Sequence, residues 1–407
     1  METFCIDSRI IGTEKHFVCS GSGYSWVNNV PNSTWHLSGQ IKPNSDWCLD
    51  TVFKLSNENP NLSPASNVVD SVNLVLSNHD VTSFNIPWRY FLSSNAHKTF
   101  IKNIVDQVSG SINRVSTKYY KETWVPGDDV LRSLVPAKID IKKWQSLIDD
   151  HVGNVHVVKT FKPDVSGFAP PVTYNRFGTL TGRLTVSSGP NILTLKKELR
   201  NIIIPDEQDG CIMYVDFAAL EARVLLYEAG KRCDAEDLYN SIAIELGYDR
   251  KKIKAAVISE LYGISKYVLG QTLQVEEKEL NKIVSRIKNY FSTEKLLKRI
   301  KEQFVKNGFI TNRYGRPIVV DEPLDHIFIN YYAQSTGVDV TLLGFSKIVN
   351  DLKINAPHVK PLYSLHDALL LYVPKIHIDY VESIKTINVP GYVQPYNLKV
   401  ERLICTE

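Results

Sequence analysis

The stretch Cys211-Ile-Met-Tyr-Val-Asp-Phe-Ala-Ala-Leu-Glu-Ala-Arg223 decides the fold. Its first half, Ile212 to Val215, is apolar and β-favouring and reads as a buried strand. The strand ends on Asp216. A helical pattern follows, with Leu220, Val224 and Leu225 on one side and Glu221 one turn after Phe217. A carboxylate where a buried strand meets a helix is held rigidly at the sheet edge, which suits a metal ligand. It equally suits an N-cap, the commoner use of Asp before a helix.

Two further stretches bear on that choice. Leu362-Tyr-Ser-Leu-His-Asp-Ala-Leu-Leu-Leu-Tyr-Val373 reads as two short apolar strands around a polar His366-Asp367 tip. Such a tip can present a second carboxylate to the end of a neighbouring strand, and two converging carboxylates can hold a pair of Mg²⁺ ions. An ordinary polar turn is the plainer alternative. Between the two lies a basic helix, Arg250-Lys-Lys-Ile-Lys-Ala-Ala-Val-Ile-Ser-Glu-Leu-Tyr-Gly263. Arg250, Lys254, Ile258 and Tyr262 recur every four residues and line one face that runs from cationic to apolar to aromatic. A triphosphate, a sugar and a base need those environments in that order. An amphipathic surface helix with a solvated basic end fits the same pattern.

In this order the three stretches resemble the family-A DNA polymerases, the DNA polymerase I family, over roughly residues 175 to 405. Asp216-Phe-Ala-Ala-Leu-Glu-Ala-Arg223 resembles the family's first catalytic motif, Arg250 to Gly263 its nucleotide-binding fingers helix, and His366-Asp367 its His-Asp-Glu hairpin. The resemblance implies an α+β right-hand fold with an antiparallel palm sheet and helical fingers and thumb. It implies template-directed DNA synthesis on a primer-template with dNTPs, two Mg²⁺ ions held by Asp216, Asp367 and the carbonyl of Phe217, and phosphate contacts from Arg250 and Lys254. Lys254 is placed to protonate pyrophosphate, Tyr262 to stack where the templating base enters, and Glu221 to exclude a ribose 2′-OH. Tyr239 stands where the family has a His, Ile258 where it has Phe or Tyr, and Ala368 where it has the second hairpin acid. An aliphatic Ile258 implies weaker nucleotide binding and poor use of dideoxynucleotides.

The resemblance extends upstream to Thr179-Leu-Thr-Gly-Arg-Leu-Thr-Val-Ser-Ser-Gly-Pro-Asn191, similar to the family's Thr-Gly-Arg-Leu…Pro-Asn-Leu segment. It implies DNA contacts by Arg183, Asn191 and Arg200, and likewise by Arg223 and His366. Asn330-Tyr-Tyr-Ala-Gln-Ser-Thr-Gly-Val-Asp339 resembles the Asn-x-x-x-Gln-Gly helix, so Asn330 and Gln334 are expected at the minor groove.

The remaining sequence sets bounds. A 407-residue chain with 43% hydrophobic and 22% charged residues is ordinary for a globular protein, and a net charge of +3 permits nucleic-acid binding without arguing for it. Six scattered cysteines show no zinc spacing and read as reduced thiols in a cytosolic compartment, a host cytoplasm if the source is viral. No membrane span or signal peptide is visible. Residues 1–90 are expected to form a small, mostly β or irregular domain, with Phe17-Val-Cys and Val72-Asn-Leu-Val-Leu as β-like runs. Residues 91–175 are expected to be the thumb and entry to the palm, 176–230 palm, 231–325 fingers and 326–407 palm. A helical pattern over 94–122 is interrupted at Gly110, and Pro126-Gly127 reads as a break. No Asp-x-Glu precedes Asp216, so the family's 3′–5′ exonuclease is not expected; a viral or phage replication core, with a separate exonuclease or processivity factor, suits this reading. A single-subunit RNA polymerase and a non-catalytic accessory subunit of the same fold are the rivals. Glu221 argues against the first, and the presence of Asp216, Lys254 and Asp367 against the second.

Overall fold

The structure is a computed structural model and describes residues 3–11, 13–20, 23–29, 35–37, 48–59, 61–77, 88–207 and 210–403. The chain divides into two compact units, residues 1–121 with 315–317 and residues 122–314 with 318–407.

The first unit holds a four-stranded sheet in the spatial order Gly23–Val27, His16–Ser20, Phe4–Ile6, Trp35–Leu37. The first three strands pair antiparallel, and Trp35–Leu37 joins Phe4–Ile6 in parallel. The expected run at Phe17 is thus a strand, but Val72–Leu76 lies in a helix, Ser66–Leu76. Val68, Val69, Val72, Val75 and Leu76 repeat at helical spacing, and a five-residue window is too short to show it. The helix Ser94–Arg114 runs unbroken through Gly110, contrary to the expected interruption. Its buried face, Phe100, Ile104, Val108 and Ile112, repeats every four residues on both sides of that glycine, and the Ser93 hydroxyl accepts the Ala96 N–H at its start.

The second unit is built on a five-stranded antiparallel sheet in the order Lys360–Leu365, Ala368–Val373, Cys211–Phe217, Tyr396–Leu403, Thr386–Ile387. Cys211–Phe217 is the middle strand, so its residues alternate between two cores. Met213, Val215 and Phe217 face the larger core, with Leu369, Leu371 and Leu398. Ile212 and Tyr214 face a second, with Ala368, Leu370 and Tyr363. Both faces are covered, which is why the strand reads as continuously apolar.

A run of helices separates this strand from the rest of its sheet: Leu220–Glu228, Leu238–Leu246, Arg250–Tyr262, Lys266–Leu273, Glu277–Phe291 and Thr293–Asn307. The side chains of Asp237, Asp249 and Ser265 cap three of them at their N-termini, and Gly247 and Gly263 end two in the left-handed conformation. Pro126-Gly127 does not break the chain; Pro126 lies in the helix Val125–Arg132, directly after Trp124 at the end of a π-helical turn, the kind of irregularity that accommodates a missing ladder N–H. The long helix Asp325–Asn355 packs against Val125–Arg132 and Leu220–Glu228. Among the described residues no helix is long and apolar enough to cross a membrane.

Gly344 of the long helix lies under the ring of Phe217, and a Cβ there would stand 2.5 Å from Phe217 Cζ. Gly344→Ala should therefore destabilise the protein by about 1–3 kcal/mol despite its better helix propensity. Chemical denaturation measures this; an unchanged or higher midpoint would show that the ring does not rest on this glycine.

Candidate active site

Asp216 is not a helix cap. The helix after it begins at Leu220, its cap position is Ala219 at φ 53°, and no side chain caps it. Asp216 instead lies inside the middle strand, directly opposite Ala368 on one neighbour and Lys399 on the other. Asp367 is the second residue of a two-residue turn between Leu365 and Ala368. His366, the first, has φ 54°, a value such turns normally give to Gly. The Phe217 N–H donates to the Asp367 carbonyl at 3.0 Å and ties the turn to the end of the middle strand. A left-handed non-glycine residue therefore accompanies each carboxylate. Such residues cost about 1 kcal/mol or more each and persist where function over-determines them.

The two carboxyls are in electrostatic conflict. Burial, then the charge of Asp367, then that of Glu401 push Asp216 up to about 7, against a smaller opposing pull from Lys399 and Lys197. Burial and then Glu221 push Asp367 up to about 6, with Arg183 pulling the other way. Burial, followed by Arg183 and Arg200, lowers the pKa of His366 and favours its neutral ring.

Two hollows meet at the turn. One is lined by Arg183, Glu221, Gln334, His366 and Asp367. The other is lined by Lys197, Arg200, Asp216, His366, Asp367 and Glu401. Gln334 accepts the Thr181 hydroxyl at 2.7 Å, which fixes its amide beside Arg183. The basic helix reaches this place through Tyr262, whose hydroxyl donates to Glu221 Oε1 at 3.3 Å. Lys254 and Arg250 are exposed, one and two turns further back from Ile258, which is half-buried. Arg250 Nε donates to Asp237 Oδ2 at 2.6 Å, and the Lys254 ammonium lies 5.9 Å from the centre of the Tyr239 ring.

Three expected DNA-contacting residues have other duties. Arg223 is fully buried and donates to the carbonyls of Ala218, Cys233, Ala235 and Glu236. It has no surface to offer a phosphate; it clamps the segment that leads to Asp237 and Tyr239. Asn330 donates its amide to the Leu261 carbonyl at 3.0 Å and secures the last turn of the basic helix. Asn191 is half-buried and held by its backbone N–H on Thr160 Oγ1, apart from both hollows. Conversely, sequence reasoning missed Lys197, Lys399 and Glu401. Alternation in Tyr396–Leu403 places Lys399 and Glu401 on one face, but nothing in the sequence says which strand they flank.

Among the described residues no group of three or more His, Cys, Asp or Glu is arranged to hold a metal ion. Two half-buried carboxyls whose negative charges conflict suit Mg²⁺ nonetheless: that ion binds through one or two carboxylates and completes its shell with water and phosphate oxygens.

The sequence profile of DNA polymerase family A matches residues 169–401, more than half of the chain. The chain belongs to that family. It is 26% identical to DNA polymerase I of Caldicellulosiruptor bescii over 52% of this chain and 28% of that protein. It is also 26% identical to DNA polymerase I of Bacillus caldotenax, over 54% of this chain and 28% of the relative. The chain thus spans less than a third of the length of the curated relatives it matches. The family-A fold is also visible in three dimensions. The POL domain of Pol1 from M. smegmatis, solved in complex with DNA primer-template and dNTP, aligns with a TM-score of 0.60 and 12% identity over 98% of this chain and 94% of that one.

In the metal-free chain the folded state keeps a proton on Asp216 up to about pH 7, whereas an unfolded Asp releases it near 3.8. Stability is therefore lost as pH rises through that window. Asp216→Asn should raise the unfolding midpoint at pH 8, by an amount on the order of 1–2 kcal/mol after solvent screening, and change little at pH 4. Calorimetry in chelator at the two pH values checks this; a variant less stable than wild type at pH 8 would refute the charge conflict.

Proposed function

We propose that this chain is the catalytic core of a DNA-directed DNA polymerase: it adds dNTPs to a primer 3′-OH on a DNA template and releases pyrophosphate. The observation that carries the reading is the convergence of Asp216 and Asp367 at the sheet end, with Tyr262 of the basic helix bonded to Glu221 beside them. Mg²⁺ ions between the carboxylates and the nucleotide would acidify the 3′-hydroxyl and neutralise charge on the triphosphate. Asp216 and Asp367 supply the negative charge that draws cations there. Arg250 and Lys254 bind the triphosphate, and Lys254 donates a proton to the leaving pyrophosphate. Ile258 offers an apolar surface to the sugar and Tyr262 a ring to the base. Tyr239, beside Lys254, orients that ammonium by its ring face. Arg183 and Gln334, flanking Asp367, face the primer end; Arg200 and His366 line the other side of the turn. In this reading residues 176–230 and 326–407 form the palm, 231–325 the fingers and 91–175 the thumb with the entry to the palm.

Asp216→Asn and Asp367→Asn should each lower primer extension by several orders of magnitude while primer-template binding survives, because binding rests on cations elsewhere. Gel-based extension and a filter-binding assay measure the two; near wild-type extension by either variant would end the proposal.

Glu221 argues for deoxynucleotides over an RNA product, since in this reading its carboxylate, bonded to Tyr262, would lie beside the sugar. Glu221→Ala should raise ribonucleotide incorporation relative to deoxynucleotide by at least tenfold, roughly 1.4 kcal/mol of discrimination. Single-nucleotide extension with dNTP and NTP in parallel decides it, and an unchanged ratio would place the gate elsewhere.

A further inference from the structure

The residues paired directly with Asp216 across the sheet bring it no acid. The residue opposite on one side is Ala368, which carries no charge, and on the other Lys399, which is exposed and cationic. Lys197 and Arg200 line the same hollow. A site meant to attract dications thus has three cations beside it, and the Lys197 side chain is 66% exposed. Its ammonium lies 5.8 Å from the centre of the Tyr214 ring, and Tyr214 is two residues before Asp216 on the same face of the strand. A lysine stem spans that step easily, so an unrestrained Lys197 can pair with Asp216 and compete with a metal ion.

What restrains it is Glu401. Glu401 lies directly opposite Tyr214, two cross-strand pairs along from Asp216 and Lys399 and on the same face, and its Oε2 is 3.3 Å from Lys197 Nζ. We propose that Glu401 is a positioning residue of the metal site: it holds the Lys197 ammonium over Tyr214 and away from Asp216, keeping Asp216 open to a divalent cation. The arrangement makes Glu401 a carboxylate that serves the site without ligating, in a chain whose hairpin has Ala368 after Asp367. Both partners are more than half exposed, so the pair adds little to folding; its effect is on where one positive charge rests.

This rests on the two-carboxylate reading above, and the experiment separates the two. Mn²⁺ binding to the DNA-free chain is followed by loss of the free-ion electron paramagnetic resonance signal, with thermal melts to confirm folding. Glu401→Gln should weaken Mn²⁺ binding roughly three- to tenfold. Lys197→Met should bind Mn²⁺ as well as wild type or better, and the double variant should bind more tightly than Glu401→Gln and close to Lys197→Met, because Glu401 acts chiefly through that lysine. A double variant as weak as Glu401→Gln alone, or a Glu401→Gln variant that binds like wild type while Asp216→Asn loses the site, overturns the role of Glu401 and leaves the metal site standing. Asp216→Asn binding Mn²⁺ like wild type overturns the metal site and, with it, this inference.

Discussion

The repulsion between two carboxyls held at one end of a sheet is the constraint around which the second unit is arranged. Asp216 and Asp367 arrive from residues far apart in the chain, and the backbone bond from Phe217 to the Asp367 carbonyl fixes them together whatever their charge. Left to itself such a pair would relax apart. It does not, because the middle strand is buried on both faces and the turn is pinned to it. The raised pKa values of the two groups and the left-handed backbone at Ala219 and His366 are the local cost of that arrangement. Free energy lost there is made up in the two apolar cores on which the sheet rests.

Positioning from outside the sheet is done by polar groups that meet backbone. Arg223 gathers the Ala218 carbonyl and three more from residues 233–236, spending its guanidinium donors on backbone where water is excluded. Asn330 takes the Leu261 carbonyl, one of the acceptors a helix leaves unmatched in its last turn. The first sets the approach to Asp237 and Tyr239, the second the place of Tyr262. Both residues sit in motifs that looked nucleic-acid-facing, and both reach the site only through the main chain they hold.

The sheet was legible because its middle strand is uniformly apolar and because hairpins announce themselves over short distances. Asp216, Glu221, His366 and Asp367 were legible for the same reason: each is one or a few residues from an element whose type is plain in the sequence. The roles of Arg223 and Asn330 were not. A cation or amide at helical spacing looks the same whether it faces solvent or a buried carbonyl, and only the packing decides. Val72–Leu76 failed differently, since a short apolar run carries no period. Glu401 and Lys197 were hidden by strand pairing: the alternation that sets Glu401 on one face says nothing of Tyr214 across from it, or of the lysine from a distant 3₁₀ turn that lies between.

The basic helix shows what the site must exchange to work. Arg250 is bonded to Asp237 and Tyr262 to Glu221, so both ends of the helix's functional face have partners before any nucleotide arrives. In the proposed reading a triphosphate on Arg250 would displace the Asp237 carboxylate, trading one exposed ion pair for a bidentate charge-assisted one. Such an exchange is cheap, because an exposed pair contributes little. The bond between Tyr262 and Glu221 is of another kind, since neither partner is cationic and burial, followed by Glu221, already raises the pKa of Tyr262. Keeping it holds the ring and the carboxylate together beside the sugar position; breaking it frees the ring and leaves a charge near Asp367. The two bonds therefore divide the helix into an end that yields readily to phosphate and an end that is held against the carboxylates.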